Sequence, residues 1–191
     1  DIFDAVLLDA PCSMQGLRSA ESHASRPITQ SEIEALASRQ ARLLESALRA
    51  VRTGGQVVYA TCTLTPEENE GVISSILETY AGLVELANIH DKLPTHAPGI
   101  RKAKGKTYSK EMIKAARIWP HLFDTAGFFA AKLIKTGPIP ETGSSIKPAN
   151  LKPPIPTQPT AGSQEEEIIH FIMEQYGFNL EDLMKKQNLA L

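Results

Sequence analysis

Asp4-Ala5-Val6-Leu7-Leu8-Asp9-Ala10-Pro11-Cys12-Ser13 decides the fold. A short continuous apolar run that ends on an acid predicts a strand covered on both faces rather than an alternating edge strand. A second run, Val57-Val58-Tyr59-Ala60, is rich in β-branched and aromatic residues and ends at Thr61-Cys62-Thr63-Leu64. The two cysteines of this 191-residue chain therefore each stand just past a predicted strand. In open α/β sheets ligands bind in the crevice outside the carboxyl ends of the strands, so the two thiols are placed to share one site.

The segments around these strands alternate in period. From Ser31 to about Arg52 the apolar residues Ile33, Leu36, Ala37, Ala41, Leu44, Ala47, Leu48 and Val51 recur at three- and four-residue intervals, which predicts a helix stopped by Gly54-Gly55. Thr65-Pro66-Glu67-Glu68 has the form of a helix start, with Thr65 as cap, Pro66 at the first position and Glu68 closing a capping box, and the helix runs to about Tyr80. Leu83 to Ala87 and Gly127 to Ile134 complete the strands. Strands interleaved with such helices predict an α/β fold with βαβ units and a mostly parallel sheet. Beyond Lys135, seven of the thirteen prolines fall between Pro138 and Pro159, which predicts a linker over 136–163. Glu165 to Tyr176 and Leu180 to Lys186 then predict short amphipathic helices, taken as the start of a truncated further domain over 164–191.

Composition narrows the chemistry. At 42% hydrophobic and 22% charged, the chain can bury one substantial core, here 1–135. It opens without a signal segment and has no apolar stretch long enough to span a bilayer, so a cytoplasmic location and no membrane partner are expected. In a reducing compartment two thiols are more often catalytic, redox-active or metal-binding than stapled. Zinc is disfavoured because neither cysteine belongs to a CxxC and His23, His90, His96, His121 and His170 show no ligand spacing, so no metal is expected. Net charge is −2, yet Arg101, Lys102, Lys104, Lys106, Lys110, Lys114 and Arg117 face a single acid, Glu111. Such a cluster suits either a phosphate-tracking surface or a solvated loop.

Asp9-Ala10-Pro11-Cys12-Ser13 and Thr61-Cys62-Thr63, the latter followed by Pro66-Glu67-Glu68-Asn69-Glu70, resemble motifs IV and VI of the Nop/Sun family of RNA (cytosine-5) methyltransferases. Arg117-Ile118-Trp119-Pro120-His121, ahead of Gly127-Phe128-Phe129, resembles the family's late motif. The resemblance spans residues 4 to 134. One departure is visible: where the family has Gly after the Ser, this chain has Met14-Gln15 before Gly16.

The resemblance implies the second half of a Rossmann-like fold that depends on S-adenosyl-L-methionine, with the N-terminal half absent. It implies that Cys62 adds to carbon 6 of cytosine and that Cys12 assists release of the product. Asp9 would bond the methionine amino group or the polar edge of the flipped cytosine, beside Ala10 and Pro11. Arg101, Lys102, Lys104, Lys106, Lys110, Arg117 and His121 become candidate RNA contacts. Ribosomal RNA of the bacterial type is the expected substrate, with transfer RNA as the alternative. The glycine-rich cofactor loop precedes motif IV in the family, so the chain is expected to be a fragment, inactive alone, whose first strand exposes an apolar edge. A non-catalytic RNA-binding protein on a degenerate methyltransferase fold is the reading from another class. A DNA cytosine methyltransferase is disfavoured because it uses one Pro-Cys nucleophile where two cysteines occur here, and a thiol oxidoreductase would require the two sulfurs to cross-link reversibly.

Overall fold

The structure, a computed structural model, describes residues 2–17, 27–93 and 96–140, together with 166, 169, 170, 173 and 174. Two units divide the chain, Asp1–Glu141 and Thr142–Leu191. In the second, the described positions are helical; the rest of the expected linker and the helix over Leu180 to Lys186 lie outside the described residues.

In the first unit, β1 (Phe3–Asp9) leads through a long connection to α1 (Gln30–Ala50), which returns the chain to β2 (Val51–Thr61). α1 starts on a capping box formed by Thr29 and Glu32, so its cap lies two residues ahead of Ser31. It buries Ile33, Leu44, Ala47 and Leu48 along one face, together with the polar Gln40. β1 and β2 pair in parallel from Ala5↔Gln56 to Asp9↔Ala60, and Arg52 to Gly55 bulge out of the ladder between Phe3↔Val51 and Ala5↔Gln56. Gly54-Gly55 thus kinks a strand instead of stopping a helix, with Gly54 at φ +80°.

α2 (Glu70–Thr79), β3 (Val84–Ala87), β4 (Ala97–Pro98), the β5 (Lys102–Ala103) and β6 (Lys106–Thr107) hairpin, β7 (Ala116–Ile118), α3 (Pro120–Phe123) and β8 (Phe128–Lys135) follow. The main sheet runs β1-β2-β8-β7-β4, with β3 also paired to β8. The α/β class and Rossmann-like layering stand, but the expectation of a mostly parallel sheet needs correction in its pairings. β8 runs antiparallel to β2, β3 and β7, leaving β1·β2 as the parallel pair among the described strands. For the β7·β8 pair the cause is connection length. A parallel neighbour needs a crossover of a dozen or more residues, whereas the short link from β7 through α3 can only turn the chain back as an antiparallel neighbour.

Val57 and Tyr59 of β2, Phe129, Ala131 and Leu133 of β8, and Leu86 of β3 meet Leu44 and Leu48 of α1 and Ile73 of α2 in one core. β1 departs from expectation: Phe3 is 51% and Leu7 73% exposed, so only the Val6 and Leu8 face packs inward. Lying at the end of the described sheet, it presents the apolar edge expected of it.

Arg117 of β7 is fully buried beside Glu70 of α2. Its Nε and Nη2 donate to the two carboxylate oxygens at 2.7 and 2.6 Å, and its Nη1 donates to the Leu64 carbonyl at 3.1 Å. The guanidinium also lies 4.8 Å from the Trp119 ring centroid and 5.6 Å from that of Phe129. The assignment of Arg117 to an RNA-contacting surface is therefore corrected: no part of its side chain reaches solvent. Removing one partner of a buried pair strands the other charge, so Arg117→Ala is expected to lower unfolding free energy by about 3–5 kcal/mol in urea titration. A loss below about 1 kcal/mol would contradict this account of the pair.

Candidate active site

The parallel β1·β2 pairing brings two loops to the same end of the sheet. Cys12 follows Asp9, Cys62 follows Ala60, and their sulfurs stand 3.3 Å apart, each half-buried. Asp9, Ala10, Pro11, Cys12, Met14 and Cys62 line an open cleft of about 460 Å³ at this point. Five of these six residues are the ones singled out from sequence for catalysis and cofactor contact. Ala10 continues the ladder by donating to the Ala60 carbonyl at 2.9 Å, which leaves the Asp9 side chain exposed at the strand tip.

The loops are held together twice. Gly16 N–H donates to the Cys62 carbonyl at 2.9 Å, and Gly127 N–H donates to the Gly16 carbonyl at 2.6 Å. A side chain at position 16 would put its Cβ 2.7 Å from both the Cys62 and Gly127 carbonyl oxygens, so this crossing requires glycine. Met14 adopts φ 56°, the left-handed region, at the position where the resemblance leads one to expect glycine. Met14 therefore carries backbone strain that a glycine would not.

The second tie runs through Glu68, which is fully buried. Its Oε2 accepts from Ser13 N–H and from Gln40 Nε2, each at 2.9 Å. Its Oε1 accepts from the hydroxyls of Ser13, Thr65 (2.6 Å) and Thr63 (3.4 Å). The capping box expected of Thr65 and Glu68 is thus absent: α2 begins at Glu70, and Glu68 turns inward to the loops. Gln40 also donates to the Pro11 carbonyl at 2.9 Å. Asn69 donates to the Thr63 carbonyl at 3.0 Å and accepts from Thr61 at 2.7 Å, closing the turn that carries Cys62. Sequence reasoning missed Ser13, Gln40, Thr63 and Glu68 as site residues. Their traces are Gln40 on an otherwise apolar helix face and the place of Ser13, Thr63 and Glu68 within the two cysteine motifs, to which no role was attached.

Burial, the largest cause, pushes the Cys12 thiol up to about 12, and the Cys62 sulfur beside it adds to the effect. Cys12 therefore carries its proton at neutral pH and can donate it toward Cys62.

The basic residues lie elsewhere. Arg101, Lys102, Lys104, Lys106 and Lys110 are exposed on and around the β5·β6 hairpin, whose turn uses Lys104 at φ 48° and Gly105 at φ 77°. Lys104 reaches Glu67 at 3.1 Å. His121 is exposed on α3, its ring centroid 6.0 Å from that of Trp119. None of them lines the cleft.

An α/β sheet with an inserted antiparallel strand and two thiols meeting at the tips of a parallel pair defines a methyltransferase-type site with paired cysteines. The family model described as 16S rRNA methyltransferase RsmB/F matches residues 1–134, and the chain belongs to this family. It is 37% identical over 172 residues to ribosomal RNA small subunit methyltransferase F of Erwinia tasmaniensis, covering 88% of this chain and 33% of that protein. Identity to the protein of the same name from Aeromonas salmonicida is 34% over 177 residues, 93% of this chain and 34% of that one. The chain thus spans about a third of the length of the curated relatives it matches. Its fold is similar to a methyltransferase homolog protein from Pyrococcus horikoshii, with TM-score 0.58 and 38% identity over 70% of this chain and 39% of that one. It is also similar to NSun6 from Pyrococcus horikoshii, solved with SFG, with TM-score 0.51 and 33% identity over 69% of this chain and 29% of that one.

Because the thiolate is the reactive form, a thiol raised to about 12 alkylates slowly. Peptide mapping after brief iodoacetamide treatment at pH 8 is expected to find Cys12 modified about 1,000-fold more slowly than free cysteine, rising about tenfold per pH unit. Modification at the rate of free cysteine would contradict the assignment.

Proposed function

We propose that this chain carries the catalytic thiols of an enzyme that methylates carbon 5 of cytosine in small-subunit ribosomal RNA. The observation that carries the reading is the 3.3 Å sulfur pair opening on a cleft at the strand tips. Carbon 5 of cytosine is a poor nucleophile until a thiolate adds to carbon 6. Cys62, its thiol proton released to solvent, forms that sulfur–carbon bond as a thiolate, and the displaced π pair makes carbon 5 nucleophilic. When bound, S-adenosyl-L-methionine supplies the electrophilic methyl group that carbon 5 takes up. The carbon 5 proton then leaves to solvent, its electron pair restores the ring double bond, and the carbon–sulfur bond breaks with its pair returning to Cys62. Cys12 keeps its proton and donates to the departing sulfur, stabilising the charge that develops there.

The residues present fit the methyl donor. Among the described residues the exposed Asp9 carboxylate has no hydrogen-bond or ionic partner, and it lines the same cleft as the thiols. It suits the ammonium group of the donor's methionine moiety or the amino edge of the cytosine. Ala10 and Pro11 form the wall beside it, Pro11 being held from below by Gln40. Unstacking a base costs a few kcal/mol, which phosphate contacts must offset and which favours single-stranded or loop RNA. Arg101, Lys102, Lys104, Lys106, Lys110 and His121 supply those contacts in this reading. Among the described residues no helix is long and apolar enough to cross a membrane. A cytoplasmic location goes with ribosomal RNA as the substrate. In the same reading 1–135 is the catalytic part and 136–163 a connection to 164–191, and the chain by itself does not turn over, because its sequence holds no glycine-rich cofactor loop.

With the intact enzyme and small-subunit ribosomal RNA, Cys62→Ala is expected to lose methyl incorporation by at least about 10³-fold and to form no covalent RNA complex. Cys12→Ala is expected to form the complex and fail to release it. A Cys62→Ala variant that still methylates would overturn the reading.

A further inference from the structure

Among the cavities, charged patches and buried polar groups of the described chain, the Glu68 carboxylate stands out. It is fully buried, and among the described residues no Lys, Arg or His pairs with it. A buried carboxylate without a cation is costly unless hydrogen bonds satisfy it. Its donors come from three separate segments: Ser13 after β1, Thr63 and Thr65 after β2, and Gln40 on α1. Ser13 is the neighbour of Cys12 and Thr63 the neighbour of Cys62, and their hydroxyls themselves approach to 2.8 Å across the carboxylate. Tyr59 fastens the same residue from beneath, donating to the Glu68 carbonyl at 2.6 Å.

We propose that Glu68 is a positioning residue that sets the spacing of the two thiols. It touches neither sulfur and lines no part of the cleft. It acts by clamping the residue next to each cysteine, so that the Cys12 thiol stays within reach of the Cys62 sulfur while a base is bound and when the carbon–sulfur bond breaks. This rests on the reading of the site given above. The clamp works through hydrogen bonding rather than charge. Three of its donors are hydroxyls, all on Oε1, and hydroxyls can rotate to accept. A glutamine amide turned with its nitrogen to that side and its oxygen toward Ser13 N–H and Gln40 would preserve the clamp, whereas a leucine of similar volume would release both loops.

The test compares Glu68→Leu, Glu68→Gln and Ser13→Ala in the intact enzyme by two readouts. The first needs neither RNA nor methyl donor: the rate at which diamide closes a Cys12–Cys62 disulfide, the two thiols giving two electrons and two protons to the azo bond, which becomes a hydrazine. The second is the split between formation and release of the covalent RNA complex. Glu68→Leu is expected to slow disulfide closure at least about tenfold. It is also expected to lower kcat by at least about tenfold with KM for RNA within about threefold, the covalent complex accumulating because release fails. Glu68→Gln is expected to recover most of both losses. If Glu68→Leu does not fold, Ser13→Ala carries the test, with closure slowed by about threefold or more. Closure at the unsubstituted rate in a folded Glu68→Leu variant overturns the proposal. So does a Glu68→Gln variant as impaired as Glu68→Leu, or, where Glu68→Leu is unfolded, a Ser13→Ala variant that closes normally. If the unsubstituted enzyme methylates no RNA, the catalytic reading fails, while the disulfide rates still decide whether Glu68 sets the spacing.

Discussion

The parallel register of β1 on β2 is the constraint from which the site follows. Asp9 sits opposite Ala60, and from that rung Cys12 lies three residues on and Cys62 two. Both loops are short enough that the rung fixes where the sulfurs can go. The Gly16 to Cys62 backbone bond then closes the first loop over the second. A slip of one residue would turn every side chain of β1 to the opposite face and carry Cys12 away from its partner. Helix α1, packed through Leu44 and Leu48, prevents that slip by holding the Val6 and Leu8 face of β1 inward. The chemistry of the site thus rests on helix packing some distance from it.

Much of this was legible in the chain. Apolar runs ending on Asp9 and on Thr61 mark where both strands end, because strands that carry a site at their tips end abruptly in polar loop residues, while the start of β2 at Val51 lies six residues ahead of its apolar run. The 3.6-residue period gave α1, and the paired cysteines gave the cleft. Strand direction was less legible, since period and composition describe one strand at a time. The direction of β8 depends on how short the link from β7 is, and that link was not read as a turn back. The exposure of β1 was misjudged for a related reason: an apolar run tells what a strand can bury, not which neighbours it has.

Buried polar groups escaped most completely. Glu67, Glu68, Asn69 and Glu70 form a run that sequence patterning assigns to a capped helix start, and nothing in that pattern shows that all four are buried. Arg117 was placed with the surface lysines because it follows them in sequence, while its bidentate pair with Glu70 and its contact with Trp119 take it into the core. The Arg117–Glu70 pair joins residues 47 positions apart and leaves no local pattern. Together they divide the polar work of the fold in two: Arg117 and Glu70 fasten β7 to α2, while Glu68 fastens the two cysteine loops.

The most direct measurement of the central claim is the identity of the sulfur that bonds the base. RNA bearing 5-fluorocytosine cannot release a proton from carbon 5, so the enzyme stays attached to it, and peptide mapping of the trapped complex names the cysteine. The account predicts the nucleotide on Cys62, with Cys12 still a thiol. A nucleotide found on Cys12, or no covalent complex with an enzyme that methylates ordinary RNA, would contradict it.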